Sequence, residues 1–393
     1  MAKRSKRRPY NVALLIETTR SYGRNVMRGI GDYARIHGPW LFHLPSEVPV
    51  RGIPLKDEWD GDGIIAQPRQ DKAFLKQLAE SGKAVVSLSG PPGSGGLHAV
   101  RANQEAVAEL AIAHFRDRGF TRFAYCGVPN ELLWPPTGEI FKRWAEQAGY
   151  PCNVYQSGFE HDSRTLRLNH MAQWLRGLEK PVGMLAAHDL RAREVLDACR
   201  LAGVHVPEEV AVLGVNDDEL ICEMANPPLS SVIHNARRIG YEAAAMLDRL
   251  MAHKKIVADI VVDPIGVQTR QSTDLLAIED PEVASAVRFI REHACEGIRV
   301  DDVLDQVPLS RRALEKRFHK AVGRPPHMEI RRAQLERVKQ LLVTSDYKLE
   351  RIAELTGFSS AQYLAGLFHR VMKMTPGAWR QAGRAGSSSA SDR

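Results

Sequence analysis

The chain has 393 residues, of which 44% are hydrophobic and 26% charged, the composition of a folded globular protein with room for two or three domains. The longest early apolar run, Val12 to Ile16, is too short for a secretory signal, and no stretch approaches the length of a membrane span. The sequence therefore predicts a cytoplasmic protein with no membrane partner.

The five cysteines indicate neither a metal site nor a disulfide framework. No two of them form a C-x-x-C pair, and none falls in a His/Cys cluster with the spacing of zinc ligands. We expect reduced thiols, no metal and no cofactor.

The net charge of +7 is unevenly distributed. Lys and Arg outnumber Asp and Glu after residue 281 and in the first eight residues, whereas the part between is mildly acidic. A partner that carries many phosphates at the C-terminal end accounts for this pattern, and a solvated basic surface is the alternative. Residues 1–9 are predicted to be a basic, disordered tail, with contact to a DNA backbone as the alternative role.

From Tyr10 to about residue 273, short apolar runs alternate with helical patterns. The runs are NVALLIE, DGIIAQ, AVVSLSG, RFAYCG, VGMLAAHD and VAVLGVND, and the helical patterns cover 24–37, 71–81, 103–118, 138–149, 190–202 and 235–252. Apolar strands joined by crossover helices predict parallel sheets that are covered on both faces. So many units in residues 10–274 fit two lobes with a cleft better than one sheet.

Beyond a linker, only helical patterns follow, over residues 281–382, and residues 383–393 are predicted to be a disordered tail. Two segments about 50 residues apart, VDDVLDQVPLSRRALEKRFHKAVG and LERIAELTGFSSAQYLAGLFHRVM, each read as a helix, a turn and a second helix with basic residues. This helix-turn-helix pattern places one helix in a DNA major groove. Two copies predict contact with two adjacent grooves of double-stranded DNA.

Polar residues in the first part of the chain cluster where strands end. Open α/β sheets bind ligands at the carboxyl ends of their strands, and side chains that grip neighbouring hydroxyls, with an aromatic face, suit a sugar. The residues that we expect to bind a small effector are Glu17, Arg24, Asn103, Trp134, Asp189, Arg191 and Asn216. The alternative for Asn103 and Asp189 is that each caps the helix that follows it.

Five separated segments in order resemble the LacI/GalR-type sugar-sensing domain, which is itself similar to type I periplasmic binding proteins. They are IETTRSYGRNVMRGI, VRANQEAVAELAIAHFRDRGFTRFAYCG, AAHDLRARE, GVHVPEEVAVLGVNDDEL and NPPLSSV, and they span nearly all of 10–273. The resemblance implies a dimer whose cleft holds a sugar. The chain departs from the family at Asn103 and Asn216, where Asp is common, and at Gly138, where a sugar-gripping Arg is common, so a different effector stays open.

The last hundred residues resemble the AraC-type DNA-binding domain, on LSRRALEKRFHKAVGRPPHMEIRRAQLERVKQLL and IAELTGFSSAQYLAGLFHRVMKMTPGAWR. A type I two-lobed body followed by such an all-α domain is similar to the regulators of xylose utilisation. This resemblance implies activation of pentose genes, D-xylose as effector, a homodimer and contact with RNA polymerase.

In the first helix-turn-helix segment, Leu314, Phe318 and Val322 recur at helical spacing, which predicts that they form its core. By resemblance Arg312, Glu315 and Lys316 face the groove, where Arg and Lys read guanine and Glu reads cytosine. Phosphate or water contacts are expected for Arg311, Arg317 and Lys320.

In the second helix-turn-helix segment, Ser359 or Ser360 is expected to cap the reading helix. Its core is predicted to consist of Ile352, Leu355, Phe358, Leu364 and Phe368, and its groove face of Ala361, Gln362, Ala365 and Gly366. Only Gln362 can form a strong hydrogen bond to a base. We therefore expect this segment to contact thymine methyl groups, to follow the DNA backbone, or to bind DNA weakly.

An enzyme is the main rival class, because His188, Asp189 and Ser231 suggest a hydrolase. The sequence has no G-x-S-x-G elbow and no phosphate-binding loop, and a lone His lines a cleft more often than it acts as a base. A secreted sugar-binding protein is disfavoured by the basic C-terminal part.

Overall fold

The computed structural model describes residues 8–44, 60–67, 72–89, 96–128, 137–155, 163–256, 258–274, 278, 280–345 and 347–381. The chain divides into two compact units, Met1–Ala277 and Ile278–Arg393. No helix in the described part is long and apolar enough to cross a membrane.

The first unit alternates strands and helices. In chain order they are β1 (Tyr10–Leu15), α1 (Ser21–His37), β2 (Trp40–His43), β3 (Gly63–Ala66), α2 (Lys72–Glu80), β4 (Ala84–Ser87), β5 (His98–Ala102), α3 (Gln104–Arg116), β6 (Phe123–Cys126), α4 (Thr137–Gln147), β7 (Cys152–Tyr155), α5 (Arg164–Gly177), β8 (Val182–Ala186), α6 (Asp189–Ala202), β9 (Val210–Val215), α7 (Glu219–Glu223), β10 (Ser230–Ile233), α8 (Ala236–Met251), β11 (Ile260–Val262) and β12 (Gly266–Gln268).

These strands form two six-stranded sheets, one in each lobe. The first lobe has the order β11-β5-β4-β3-β1-β2, with every pair parallel, and the second has the order β12-β10-β9-β8-β6-β7, parallel except for β10 with β12. Buried apolar clusters lie on both faces of each sheet. Central strands such as β3, β8 and β9 are apolar and fully buried because helices cover both of their faces.

The chain passes between the lobes three times. It crosses from β5 to α3 through Asn103, from β10 to α8 through His234 and Asn235, and from β11 to β12 through residues 263–265. In each sheet the strand order reverses beside the first strand, between β1 and β3 and between β6 and β8. Such switch points are where open α/β sheets bind ligands.

The second unit is entirely helical. Its helices are α9 (Pro281–His293), α10 (Val300–Leu304), α11 (Arg311–Val322), α12 (Pro326–Thr344), α13 (Leu349–Leu355) and α14 (Ala361–Met372), with a 3-10 turn at Ala294–Glu296. Helices α10 with α11, and α13 with α14, are the two helix-turn-helix pairs, and α12 joins them.

Buried polar contacts join α12 to the 3-10 turn and to the turn of the second pair. Gln334 of α12 donates to the carbonyls of Ala294 (2.9 Å) and Gly357 (3.2 Å). Gly357 has φ +71°, and a Cβ there would lie 2.6 Å from the backbone nitrogen of Gly297. Only glycine fits this close approach of two backbones.

The two-lobed α/β architecture and the helical second unit confirm the predicted fold class. The predicted cores of the reading helices are also confirmed, with Leu314, Phe318 and Leu364 fully buried. The prediction for Leu355 was wrong: it is 36% exposed, and Ala353 takes the inward position beside Ile352. The i, i+3 spacing from Ile352 suggested an inward Leu355, whereas the buried face of this helix consists of Ile352 and Ala353.

Candidate functional site

Asp189 lies at the centre of the polar groups at the carboxyl ends of the second lobe's strands. It is the first residue of α6, and His188, not Asp189, caps the helix by accepting from the Arg191 backbone N–H at 3.1 Å. Asp189 Oδ1 accepts from Ser231 Oγ at 2.5 Å, and Oδ2 accepts from the Asp218 backbone N–H at 2.8 Å. The carboxyl group thus holds the loop after β9 against β10.

Burial changes the chemistry of this carboxyl group. Asp189 is 2% exposed, and this burial raises its pKa to about 7. The hydrogen bonds from Asp218 and Ser231 act in the opposite direction and lower the pKa. The neighbouring carboxylates of Asp217 and Asp218 raise the pKa further. Asp189 therefore carries a proton over part of the physiological pH range.

The loop after β9 has an unusual backbone. Asn216 and Asp217 have φ values of 105° and 51°, a region that side chains other than glycine rarely occupy. The Asp217 backbone N–H donates to Ser231 Oγ at 3.0 Å, and the Asp217 carboxylate accepts from Arg270 at 2.7 Å. Such strained positions persist where surrounding contacts fix them, and they cluster at binding sites.

Asp218 connects the second lobe to the first. Its Oδ2 accepts from the backbone N–H of Ser21 at 2.8 Å, so it supplies the N-terminus of α1 with a cap that the preceding Arg20 does not provide. Arg24, one turn along, places Nη2 3.9 Å from the same oxygen and donates through Nη1 to the carbonyl of Thr19 at 2.8 Å. These contacts hold the two lobes together at the switch point of the first sheet.

Several buried polar atoms beside the strand ends lack a partner within the described part of the chain. They are Ser21 Oγ after β1, Ser89 Oγ after β4, Arg191 Nη2 after β8 and His234 Nδ1 after β10. Buried polar groups are nearly always hydrogen-bonded, so each exception needs an explanation. Two of these atoms follow strands of the first sheet and two follow strands of the second.

Arg191 is the most deeply buried of the predicted cationic residues, at 2% exposure. Its Nε donates to the carbonyl of Gly127 at 2.6 Å and its Nη1 to Glu194 at 2.7 Å, and its guanidinium lies 5.6 Å from the ring centre of Tyr155. These contacts fix the guanidinium and leave Nη2 as a donor.

The other predicted effector residues occupy different positions. Glu17 follows β1, is partly buried and accepts a hydrogen bond from Thr19. Asn103 caps α3 by accepting from the Ala106 N–H at 3.2 Å, and its Nδ2 donates to Asp263 at 2.7 Å. It therefore joins two of the crossing segments. Trp134 lies outside the described residues.

Gly138 is buried in the first turn of α4, where a Cβ would lie 2.7 Å from the ring of Tyr125. A larger side chain, such as the arginine of the LacI/GalR type, has no room there. The sequence analysis did not select Ser21, Ser89 or His234. Each of them follows a strand, and that position was the signal that could have identified it.

No group of three or more His, Cys, Asp or Glu side chains in the described ranges could hold a metal ion. Burial lowers the pKa of His234 to about 4, so its imidazole is neutral at physiological pH. The unpartnered Nδ1 can therefore form a hydrogen bond as part of an uncharged ring.

The reading helix of the first pair, α11, presents a cationic face. Ser310 caps it by accepting from the Ala313 N–H at 3.3 Å. Arg311 pairs with Asp301 at 2.7 Å and lies 3.5 Å from Glu315, whereas Arg312 and Lys316 are exposed one turn apart. The two latter side chains extend from one face of the helix and are available to bases.

Arg317, for which the sequence predicts a phosphate or water contact, forms ion pairs within the second unit. It donates to both oxygens of Asp280 at 2.6 Å and to Glu282 at 2.6 Å, so it ties α11 to the start of α9. Two carboxylates already neutralise this guanidinium.

The reading helix of the second pair, α14, is sparse in charge. Ser360 caps it by accepting from the Tyr363 N–H at 3.1 Å. Gln362 is exposed, and a Cβ added at Gly366 would meet open space. Tyr363, 47% exposed, lies under the guanidinium of Arg331 at 5.3 Å from its ring centre.

Comparison with known proteins gives matches to both units. Residues 112–273 match a periplasmic binding protein-like domain, and residues 303–382 match a helix-turn-helix domain. The chain is 33% identical to the xylose operon regulatory protein of Escherichia coli (strain K12), over 94% of this chain and 97% of that protein. It is 31% identical to the protein of the same name from Haemophilus influenzae, over 94% and 98%.

A solved structure of a xylose-binding transcription activator is also similar, with a TM-score of 0.79 and 31% identity over 95% of this chain and 98% of that one. A LacI transcriptional regulator from Alkaliphilus metalliredigens, solved with D-xylulofuranose, shares the fold at 17% identity and a TM-score of 0.52, over 67% and 98%.

Proposed function

The chain belongs to the family of the xylose operon regulatory proteins, and we propose that it activates pentose utilisation genes in the cytoplasm with D-xylose as its effector. The sugar binds between the lobes of the first unit and alters how the second unit binds DNA. A different sugar or sugar derivative is the alternative effector.

The observation that carries the sugar site is the set of unpartnered buried polar atoms at the strand ends of both sheets, on Ser21, Ser89, Arg191 and His234. A pentose has hydroxyl groups that can both donate and accept, so it can satisfy hydroxyl, guanidinium and imidazole atoms together. Leaving such atoms unpaired costs about 1 to 3 kcal/mol each, which is free energy that a fitting ligand recovers.

We assign different roles to the effector residues predicted from the sequence. Arg191, Arg24, Glu17 and Asn216 are proposed to contact the sugar, together with Trp134. Asp189 and Asn103 are proposed to act indirectly, since their side chains hold the loop after β9 and the crossing segments in place. This proposal replaces the expectation that all seven touch the ligand.

The same geometry supports a binding protein in preference to an enzyme. The groups that suggested a hydrolase are occupied: Ser231 Oγ donates to Asp189, and His188 caps α6. Ser231 is fully buried, so a substrate does not reach its hydroxyl, and the Nδ1 lone pair of His188 is occupied by the Arg191 N–H.

The proposed DNA-binding residues are Arg311, Arg312, Glu315, Lys316, Ser360 and Gln362. Exposed Arg312 and Lys316 support base contacts by α11, and the Ser360 cap supports a stable N-terminus of α14. A homodimer and contact with RNA polymerase are further proposals, supported by the family and by the activator named among the solved structures.

Thermal unfolding of the full chain in a panel of pentoses, hexoses and uronic acids tests the effector. At 100-fold excess over its dissociation constant, a specific sugar stabilises the folded state by about 2.7 kcal/mol. D-xylose should raise the melting temperature and L-xylose should not. Stabilisation by another sugar alone would replace D-xylose as effector, and no response to any sugar would refute the sugar site.

Binding of the full chain to promoter DNA, measured by fluorescence anisotropy over a range of salt, tests the second unit. The logarithm of affinity should fall linearly with that of salt concentration, with a slope of about −0.9 for each phosphate neutralised. D-xylose should change the affinity at fixed salt. DNA binding without salt dependence would contradict the assignment.

A further inference from the structure

Two adjacent serines of β10 connect the cleft to the end of the first unit. Ser231 Oγ bonds to Asp189 and accepts from the Asp217 N–H, as described above. On the opposite face of the strand, Ser230 Oγ donates to the carbonyl of Arg270 at 2.8 Å and accepts from the Arg270 N–H at 2.7 Å. Both serines are fully buried, so neither hydroxyl exchanges these partners for water.

The segment after β12 is fixed by a buried network. Ser272 Oγ donates to the carbonyl of Val212 at 2.6 Å and accepts from the Ser230 N–H at 2.8 Å. Thr273 Oγ1 lies 2.8 Å from His114 Nε2, and its carbonyl accepts from Arg118 at 2.8 Å. Ser272 and Thr273 are 0% exposed, and the second unit begins at residue 278. This buried segment is therefore the last described part of the first unit before the chain continues to the DNA-reading helices.

Arg270 touches both ends of this connection. Its backbone belongs to the fixed segment, whereas its Nη1 donates to Asp217 Oδ1 at 2.7 Å and to the carbonyl of Leu229 at 2.9 Å. Both side chains of the ion pair are largely buried, at 15% and 20% exposure. A partly buried ion pair with a second hydrogen bond is stronger and less screened than a surface pair.

We propose that Arg270 is the positioning residue that transmits occupancy of the cleft to residues 271–274, through its ion pair with Asp217. The inference rests on the proposed function, because it needs an effector at the cleft. When the effector engages the strained loop at Asn216 and Asp217, the Asp217 carboxylate moves, and Arg270 moves with it. The segment that leads to the second unit is thereby displaced.

The test measures a coupling factor, the ratio of the DNA dissociation constants of the full chain with and without D-xylose. Coupling between two sites is typically 5- to 150-fold. In Arg270→Gln, D-xylose and DNA should each still bind, but the coupling factor should fall several-fold toward 1, because the ion pair with Asp217 is lost while the Ser230 bonds to the residue 270 backbone remain. Arg270→Lys keeps the charge opposite Asp217 and should restore part of the coupling.

A double-mutant cycle separates transmission from a general structural effect. If Arg270 acts through Asp217, then Asp217→Asn and the double variant Asp217→Asn with Arg270→Gln should have the same coupling factor. The matched control is Arg122→Gln, which removes an ion pair with Glu179 at the opposite end of the second lobe's strands. That variant should couple as the wild type does.

The outcomes distinguish the inference from the proposed function. A wild-type chain in which D-xylose binds but leaves DNA affinity unchanged overturns both. Normal wild-type coupling that persists in Arg270→Gln overturns only the role of Arg270. If Arg270→Gln is too unstable to assay, Arg270→Lys and Asp217→Asn decide: full coupling in both overturns the inference, and reduced coupling in both with sugar still bound supports it.

Discussion

Asp189 should make the first unit less stable as pH rises toward neutrality. In the unfolded chain its carboxyl group releases its proton near the ordinary pKa of 3.8, whereas burial keeps the proton bound up to about pH 7 in the folded chain. Between these values the folded state binds more protons than the unfolded state. The free energy of unfolding therefore falls as pH rises, and the loss is complete above pH 7.

The magnitude follows from the change in pKa. A rise from 3.8 to about 7 corresponds to about 4 kcal/mol in total, of which about 2 to 3 kcal/mol falls between pH 5 and pH 7.5. In Asp189→Asn the amide oxygen can still accept from the Asp218 N–H, and the amide cannot ionise. The stability of this variant relative to wild type should therefore increase by about 2 to 3 kcal/mol over that pH range.

Urea unfolding followed by tryptophan fluorescence provides the assay, because of the six tryptophans only Trp379 lies beyond residue 277. At an m-value of about 2 kcal/mol/M, the difference in midpoint between variant and wild type should change by roughly 1 M. Asp197→Asn makes the same substitution at a more exposed position of α6, where the carboxylate pairs with Arg164 and Arg200, and it should follow wild type. If Asp189→Asn also follows wild type at every pH, burial does not control the ionisation of Asp189.

Further predictions concern the reading helices and the contact between lobes. Arg312→Ala should cost about 1 to 3 kcal/mol on the preferred DNA site and relax the preference at one base pair, and Gln362→Ala should cost less, as binding-site selection from random DNA would measure. Gly357→Ala should destabilise the second unit by about 2 kcal/mol or more in urea unfolding, because φ is +71° and the Cβ meets backbone. Asp218→Ala should remove the cap that joins the lobes, weaken D-xylose binding about fivefold, and increase the radius of gyration in small-angle scattering.

Two of these predictions have a matched control variant. Gly366→Ala, in open space on α14, should stabilise that helix by about 0.5 to 1 kcal/mol, and equal losses at Gly357 and Gly366 would refute the steric argument. Arg351→Ala removes an exposed arginine paired with Glu354 and should leave base preference intact. A larger loss of sequence information in the Gln362 variant than in the Arg312 variant would reverse the roles of the two helices. An unchanged radius of gyration in Asp218→Ala would show that other contacts close the cleft.

The strands that the sequence predicted are continuous apolar runs, and the predicted helices have apolar residues that recur at helical spacing. Strand β9 is six consecutive buried apolar residues, and α11 buries Leu314, Phe318 and Val322 at helical spacing. Strands β2 and β7 were not predicted, because each has four residues of mixed burial at a sheet edge. Their identity depends on pairing with β1 and β6, which lie far away in the sequence.

The sequence predicted the location of the candidate site but not the role of each residue in it. The carboxyl ends of the strands were located correctly by the runs that end in His188-Asp189 and Asn216-Asp217. Whether a polar side chain there contacts a ligand or the protein depends on partners from distant segments, such as Ser231 for Asp189 and Asp263 for Asn103. No local pattern reveals those partners, so residue type alone could not separate binding groups from groups that hold the loops.

The order of the two units determines where a signal can leave the sugar-binding part. The DNA-reading helices follow residue 277, so the first unit is covalently tied to them only through the segment after β12. That segment is fixed to the second lobe by Ser230, His114 and Arg118, whereas the α1 N-terminus that Asp218 caps belongs to the first lobe. Asp218 thus contacts the first lobe, and its neighbour Asp217 reaches the exit segment through Arg270. Two consecutive carboxylates therefore contact both parts of the first unit: Asp218 accepts from Ser21 of the first lobe, and Asp217 pairs with Arg270, whose backbone leads into the exit segment.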